Sequence, residues 1–125
     1  MTLSRRQVAD LLDKHGLRPS RALGQNFVVD PNTVRRIARL AEVGAGDRVL
    51  EVGPGLGSLT LALLETGADV VAVEADRHLL PALEEAVGGA GQAGGSVRIV
   101  HADAMRADWR ALLSGSSCWV LVANL

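Results

Sequence analysis

Residues 50–60, LEVGPGLGSLT, constrain the fold more than any other stretch, because an apolar strand runs straight into Gly53, Gly55 and Gly57 and then into a helix. Glycines at alternate positions let the backbone turn sharply without Cβ contacts, and the helix that follows opens with unpaired N–H groups. A strand, glycine turn and helix in that order belongs to α/β architecture with a parallel sheet. From Asp47 onward the chain keeps the same alternation. Strands are predicted at 48–52 (RVLEV), 69–74 (DVVAVE), 97–102 (VRIVHA) and 118–123 (CWVLVA), with helices from about Ser58 to Glu65 and from about Arg77 to Val87. Pro81 falls near enough to the start of the second helix to be tolerated. Residues 88–95, GGAGQAGG, read as an exposed connection.

The first 46 residues have a different character. Ser4 and Gln7 form a capping pair that opens a helix reaching Gly16, and Asp30-Pro31 opens another whose apolar face is Val34, Ile37, Ala38 and Ala41, with Gly44 and Gly46 ending it. Between them, LRPSRALGQNFVV has neither helical nor strand period and reads as an ordered loop. Charge divides the chain in a similar place. Residues 1–39 hold eight Lys/Arg against three Asp/Glu, a net of +5, whereas residues 40–125 hold five against eleven, a net of −6. The expected organisation is thus a basic helical arm with a covering loop, 1–46, ahead of an α/β body, 47–125.

Several classes are excluded. One cysteine, Cys118, cannot build a disulfide framework or a cysteine-rich zinc site, and His15, His78 and His101 share no metal-ligand spacing, so no metal is expected. No apolar run approaches the roughly 20 residues that cross a bilayer, which makes the cytoplasm the expected compartment and a membrane no partner.

Glu74 ends the second predicted strand 21 residues after Gly53, the offset at which a carboxylate can accept both hydroxyls of a ribose; a solvated strand-end acid is the plainer alternative. Dinucleotides and S-adenosylmethionine both use this plan. The dinucleotide fingerprint wants glycine where Ser58 stands, and Pro54 also departs from it. S-adenosylmethionine instead presents a ribose, an adenine amino group and an ammonium, all donors, and calls for acids at successive strand ends: Glu51, Glu74 and Asp103. Asp103 can equally serve as a local cap.

RALGQNFVVD (21–30), LEVGPGLGSLT (50–60), VEAD (73–76), HADAM (101–105) and VANL (122–125) together resemble the bacterial small-subunit ribosomal RNA adenine dimethyltransferases, which dimethylate two adjacent adenines near the 3′ end of 16S rRNA. The resemblance runs from about residue 18 to the last residue, and LGQNF is its most discriminating part. It implies a Rossmann-like S-adenosyl-L-methionine-dependent methyltransferase fold, of which four parallel strands would form the N-terminal half. It further implies that Gln25, Asn26 and the backbone of Val28 close over the cofactor. Gly53 and Gly55 would line its methionine moiety, Glu74 the ribose and Asp103 the adenine. Asn124 would be catalytic, its side-chain oxygen accepting from the target amino group, and would also count among the cofactor-binding residues.

In the family pattern that Asn is followed by Leu, Pro and a stacking aromatic, whereas here Asn124 and Leu125 are the last residues, so the chain is expected to be the cofactor-binding part of a longer enzyme. Arg5, Arg6, Lys14, Arg18, Arg21, Arg35, Arg36 and Arg39 are candidate contacts to RNA phosphates, or else a solvated face. The expected partner is 16S rRNA in a small-subunit precursor, met by a monomer. The alternatives are a 23S rRNA adenine dimethyltransferase of the macrolide-resistance type, a non-catalytic module that keeps cofactor or RNA binding, and a nicotinamide-dependent oxidoreductase.

Overall fold

The computed structural model of the chain describes residues 2–17, 30–89, 95–115 and 118–123. Its elements are α1 (Arg5–Lys14), α2 (Pro31–Leu40), β1 (Arg48–Val52), α3 (Ser58–Glu65), β2 (Asp69–Glu74), a 3₁₀ turn (Arg77–Leu79), α4 (Leu80–Gly88), β3 (Val97–His101), α5 (Trp109–Leu112) and β4 (Val120–Ala123). The four strands form one sheet in the order β3-β2-β1-β4, parallel throughout. Glu51 stands opposite Ala72 on one side and Val122 on the other, and Glu74 stands opposite His101.

Alternation along the strands sends Val49, Val70, Ala72 and Val122 into one core with the helices. α3 is apolar from Leu59 to Leu64 apart from Thr60, and these six residues are buried without interruption, which is what a helix enclosed between sheet and outer helix requires. α2 is two-faced: Val34 and Ala38 join the core while Arg35, Arg36 and Arg39 stay exposed. α1 contributes Val8 and Leu11 to the same core, so both arm helices are packed onto the body. Its amino end carries the expected capping box, with Gln7 N–H on Ser4 Oγ at 3.2 Å and Ser4 N–H on Gln7 Oε1 at 2.8 Å. Its far end is tied to α4 by Lys14 and His15, both on Glu85, the His15 contact being 3.4 Å.

Four local expectations need correction. α2 stops at Leu40, ahead of Gly44 and Gly46, because Glu42 takes a left-handed φ of 54° and its N–H closes on Arg39 O at 3.1 Å. The helix expected from Arg77 starts as a 3₁₀ turn capped by Asp76, and becomes α-helical only at Leu80, where Pro81 occupies a first-turn position that needs no N–H. β3 ends at His101, one residue before the predicted Ala102. β4 starts at Val120, two residues late, since Trp119 turns its indole N–H onto Leu113 O (3.1 Å). The sequence pattern does not mark the short α5, which Asp108 caps. The loop 17–29 lies outside the described residues from 18 onward, as does most of the glycine-rich connection.

Candidate functional site

β1 and β2 end side by side, and the turn after β1 is pinned to β2 by Gly53 N–H on Val73 O at 3.0 Å. Gly53, Gly55 and Gly57 all have positive φ (73°, 59° and 95°), the backbone region that a side chain disfavours. Gly57 carries a second demand. A Cβ there would lie 3.0 Å from Leu83 Cδ1 and 3.1 Å from Val87 Cγ1, so α4 packs against the turn at a distance only hydrogen allows. Gly57 also starts α3 without a side-chain cap.

Glu74 is 7% exposed, and each carboxylate oxygen accepts one backbone N–H: Oε1 from Gly55 at 3.1 Å and Oε2 from Asp76 at 2.8 Å. The side chain thereby fixes the glycine turn on one side and the loop leaving β2 on the other. Since an ionised carboxylate has about four acceptor positions, roughly two remain for a ligand's hydroxyls. The next strand end follows closely. Ala102 N–H bonds Glu74 O at 3.1 Å, and His101 Nε2 lies 3.1 Å from Ala75 O, which sets Asp103 at the strand end adjacent to Glu74. Asp103 is exposed and its Oδ1 accepts from Met105 N–H at 2.9 Å, so the local-cap role is realised. That bond engages one oxygen of the carboxylate.

Glu51, only 1% exposed, lies beneath the turn and takes a 2.5 Å hydrogen bond from Thr60 Oγ1 of α3. Burial raises its pKa from 4.5 to about 7; the Thr60 bond opposes that rise and the negative charge of Glu74 adds to it. The sequence marks Glu51 as one of three strand-end acids but does not mark Thr60 as its partner. The available signal is a hydroxyl at the third position of a helix, SLTLALLE, that is otherwise apolar from Leu59 through Leu64.

Gly53, Gly55, Glu74 and Asp103 thus gather at the carboxyl edge of the sheet, the place where open α/β sheets take ligands. Gln25, Asn26, Val28 and Asn124 lie outside the described residues; Asn124 follows Ala123, which stands opposite Val52. Of the basic residues, Lys14 is engaged with Glu85 and Arg35 with Glu65 at 3.4 Å, while Arg18 and Arg21 lie outside the described part. Among the described residues no group of three or more His, Cys, Asp or Glu could hold a metal ion, and no helix is long and apolar enough to cross a membrane.

A family model described as ribosomal RNA adenine dimethylase matches residues 17–125. The chain is 54% identical over 123 residues to the ribosomal RNA small subunit methyltransferase A of Kineococcus radiotolerans, covering 98% of this chain and 40% of that protein. It spans about two fifths of the length of the curated relatives it matches. Among solved structures it resembles the 23S rRNA methyltransferase ErmE (TM-score 0.57, 37% identity, 66% of this chain and 32% of that one). It also resembles an RNA methyltransferase from Salinibacter ruber in complex with S-adenosyl-L-homocysteine (TM-score 0.58, 26% identity, 76% of this chain and 60% of that one). The strand order, parallel sheet and glycine turn are those of the Rossmann-like methyltransferase fold.

Proposed function

The chain belongs to the ribosomal RNA adenine dimethylase family, and from that premise we propose that it binds S-adenosyl-L-methionine at the β1–α3 turn and takes part in dimethylating two adjacent adenines near the 3′ end of 16S rRNA. The observation that carries this reading is the placement of Glu74: a buried strand-end carboxylate that braces the glycine turn and keeps acceptor capacity for ribose hydroxyls. Asp103, on the neighbouring strand end, keeps one carboxylate oxygen clear of Met105 for the adenine amino group. Gly53 and Gly55 leave room for the methionine half, and Gln25, Asn26 and Val28 are assigned to cover it.

When bound, the cofactor supplies a methyl group on a sulfonium. The protein's work is positioning. Asn124, directly after β4, is assigned to accept a hydrogen bond from the target amino group, which turns the nitrogen lone pair out of conjugation and toward the methyl donor. The adenine has to leave its helix for that approach. We read the protein as a cytoplasmic monomer without a resident metal, with residues 1–46 serving as an arm beside the substrate and 47–125 as the cofactor-binding body.

Similarity to ErmE supports a second reading, a 23S rRNA adenine target; the 54% identity to a small-subunit enzyme favours the first. Incubation with labelled S-adenosylmethionine and undermethylated 30S or 50S subunits separates them. Label in dimethyladenosine of 16S rRNA supports the leading reading, label in 23S rRNA the second, and cofactor binding without transfer would indicate a non-catalytic module.

A further inference from the structure

Two carboxylates lie under the β1–α3 turn, and among the described residues the elements packed directly on Glu51 hold no positive charge; the basic groups of the sheet are Arg48 at the far end of β1 and, beyond β2, Arg98 and His101 of β3, His101 standing opposite Glu74. Glu51 is buried on β1 with one hydrogen bond from Thr60, and Glu74 is buried on β2 with two backbone N–H groups donating to its carboxylate oxygens. Around Glu51, β2 contributes Ala72 opposite and Glu74 two residues on, β4 contributes Val122, and α3 contributes Thr60. No Lys, Arg or His occurs in the turn 53–57, in α3, in β2 or in β4. A second buried anion beside Glu74 is therefore unfavourable until a cation arrives from outside.

We propose that Glu51 is the charge-matching residue of the cofactor pocket, standing as a neutral carboxylic acid in the free protein and releasing its proton to solvent when the cationic half of S-adenosylmethionine binds. The inference rests on the cofactor reading above and adds to it a proton that must leave. Thr60 can serve both states, because its hydroxyl donates to the carbonyl oxygen of the acid and more strongly to the carboxylate. The elevated pKa of about 7 places the exchange in the neutral range. The sign follows directly: at low pH the cofactor has to displace a bound proton, so affinity rises with pH and levels off above the pKa of the free protein.

Calorimetric titration of the full chain with S-adenosylmethionine, in buffers of different ionisation enthalpy from pH 6 to 9, tests this. Release of about half a proton per cofactor is expected at pH 7, falling toward zero at pH 9, with affinity about tenfold weaker at pH 6 than at pH 8. Glu51→Gln, isosteric with the neutral acid, should bind with neither proton release nor pH dependence. Thr60→Val, which removes the bond that opposes the upward shift, should move the release to higher pH. Binding without buffer-dependent heat, or release unmoved by either variant, overturns the proposal. Persistent release in Glu51→Gln would overturn the assignment to Glu51 and point to another group at the same sheet edge, where His101 Nε2 meets Ala75 O. No binding at any pH would overturn the cofactor reading itself, and this inference with it.

Discussion

Replacing Glu74 by Gln keeps the side chain's size and removes its charge, which makes it the most direct probe of the site. The carboxylate accepts N–H groups on both oxygens, at 3.1 Å from Gly55 and 2.8 Å from Asp76. An amide has only one oxygen. Whichever way it turns, its NH₂ faces a backbone N–H, leaving that donor unpaired in a site where Glu74 is 7% exposed. An unpaired buried donor costs about 1–3 kcal/mol of stability. On the ligand side, a ribose hydroxyl that met a carboxylate oxygen loses a charge-assisted bond of about 1.5–3 kcal/mol, a dissociation constant roughly ten to a hundred and fifty times weaker. Isothermal titration with S-adenosylmethionine reads the second effect and urea unfolding the first. Lost stability with a dissociation constant within about twofold of wild type would refute the ribose assignment and leave Glu74 as a clamp for the turn alone.

Gly57→Ala should lower stability by about 1–3 kcal/mol in urea unfolding, because it adds a methyl against Leu83 and Val87 at a φ of 95°. In the ligand-free protein the folded state holds the Glu51 proton up to about pH 7 while the unfolded chain releases it near 4.5. Stability is therefore lost as pH rises through that window, by about 3 kcal/mol in all. Glu51→Gln should abolish that part of the pH dependence and melt higher than wild type at pH 8, and identical melting curves at pH 8 would refute it. Asn124→Ala should leave cofactor affinity within about threefold while abolishing transfer to undermethylated subunits, measured by incorporated label; retained transfer would remove Asn124 from catalysis.

The sheet was legible because each strand is a short β-rich run bounded by turn signals, and the first two strands fall at their predicted residues. Gly53, Glu74 and Asp103 were legible because their spacing reflects strand ends that the parallel sheet aligns. Other features depend on contacts that spacing does not encode. Glu42 ends α2 in a conformation that glycine would ordinarily mark, so the nearby Gly44 and Gly46 attracted the assignment instead. Trp119 extends the predicted strand by composition, but its indole is engaged with Leu113 and its ring lies 5.9 Å from the Arg48 guanidinium. Thr60 is polar in an apolar helix, yet only the fold brings it to Glu51, nine residues back.

The tie between α1 and α4 bears on the order in which the molecule is made. Lys14 and His15 meet Glu85 across 71 and 70 residues of chain, so these two side chains have no access to that partner until α4 has been made. Isolated helices of ten residues are marginal in water, and α1 spans ten. During synthesis it therefore waits as a fluctuating amphipathic segment, and it closes over the assembled β1–α4 unit late. That long-range closure makes the docking of α1 on α4 a late step in folding rather than its seed.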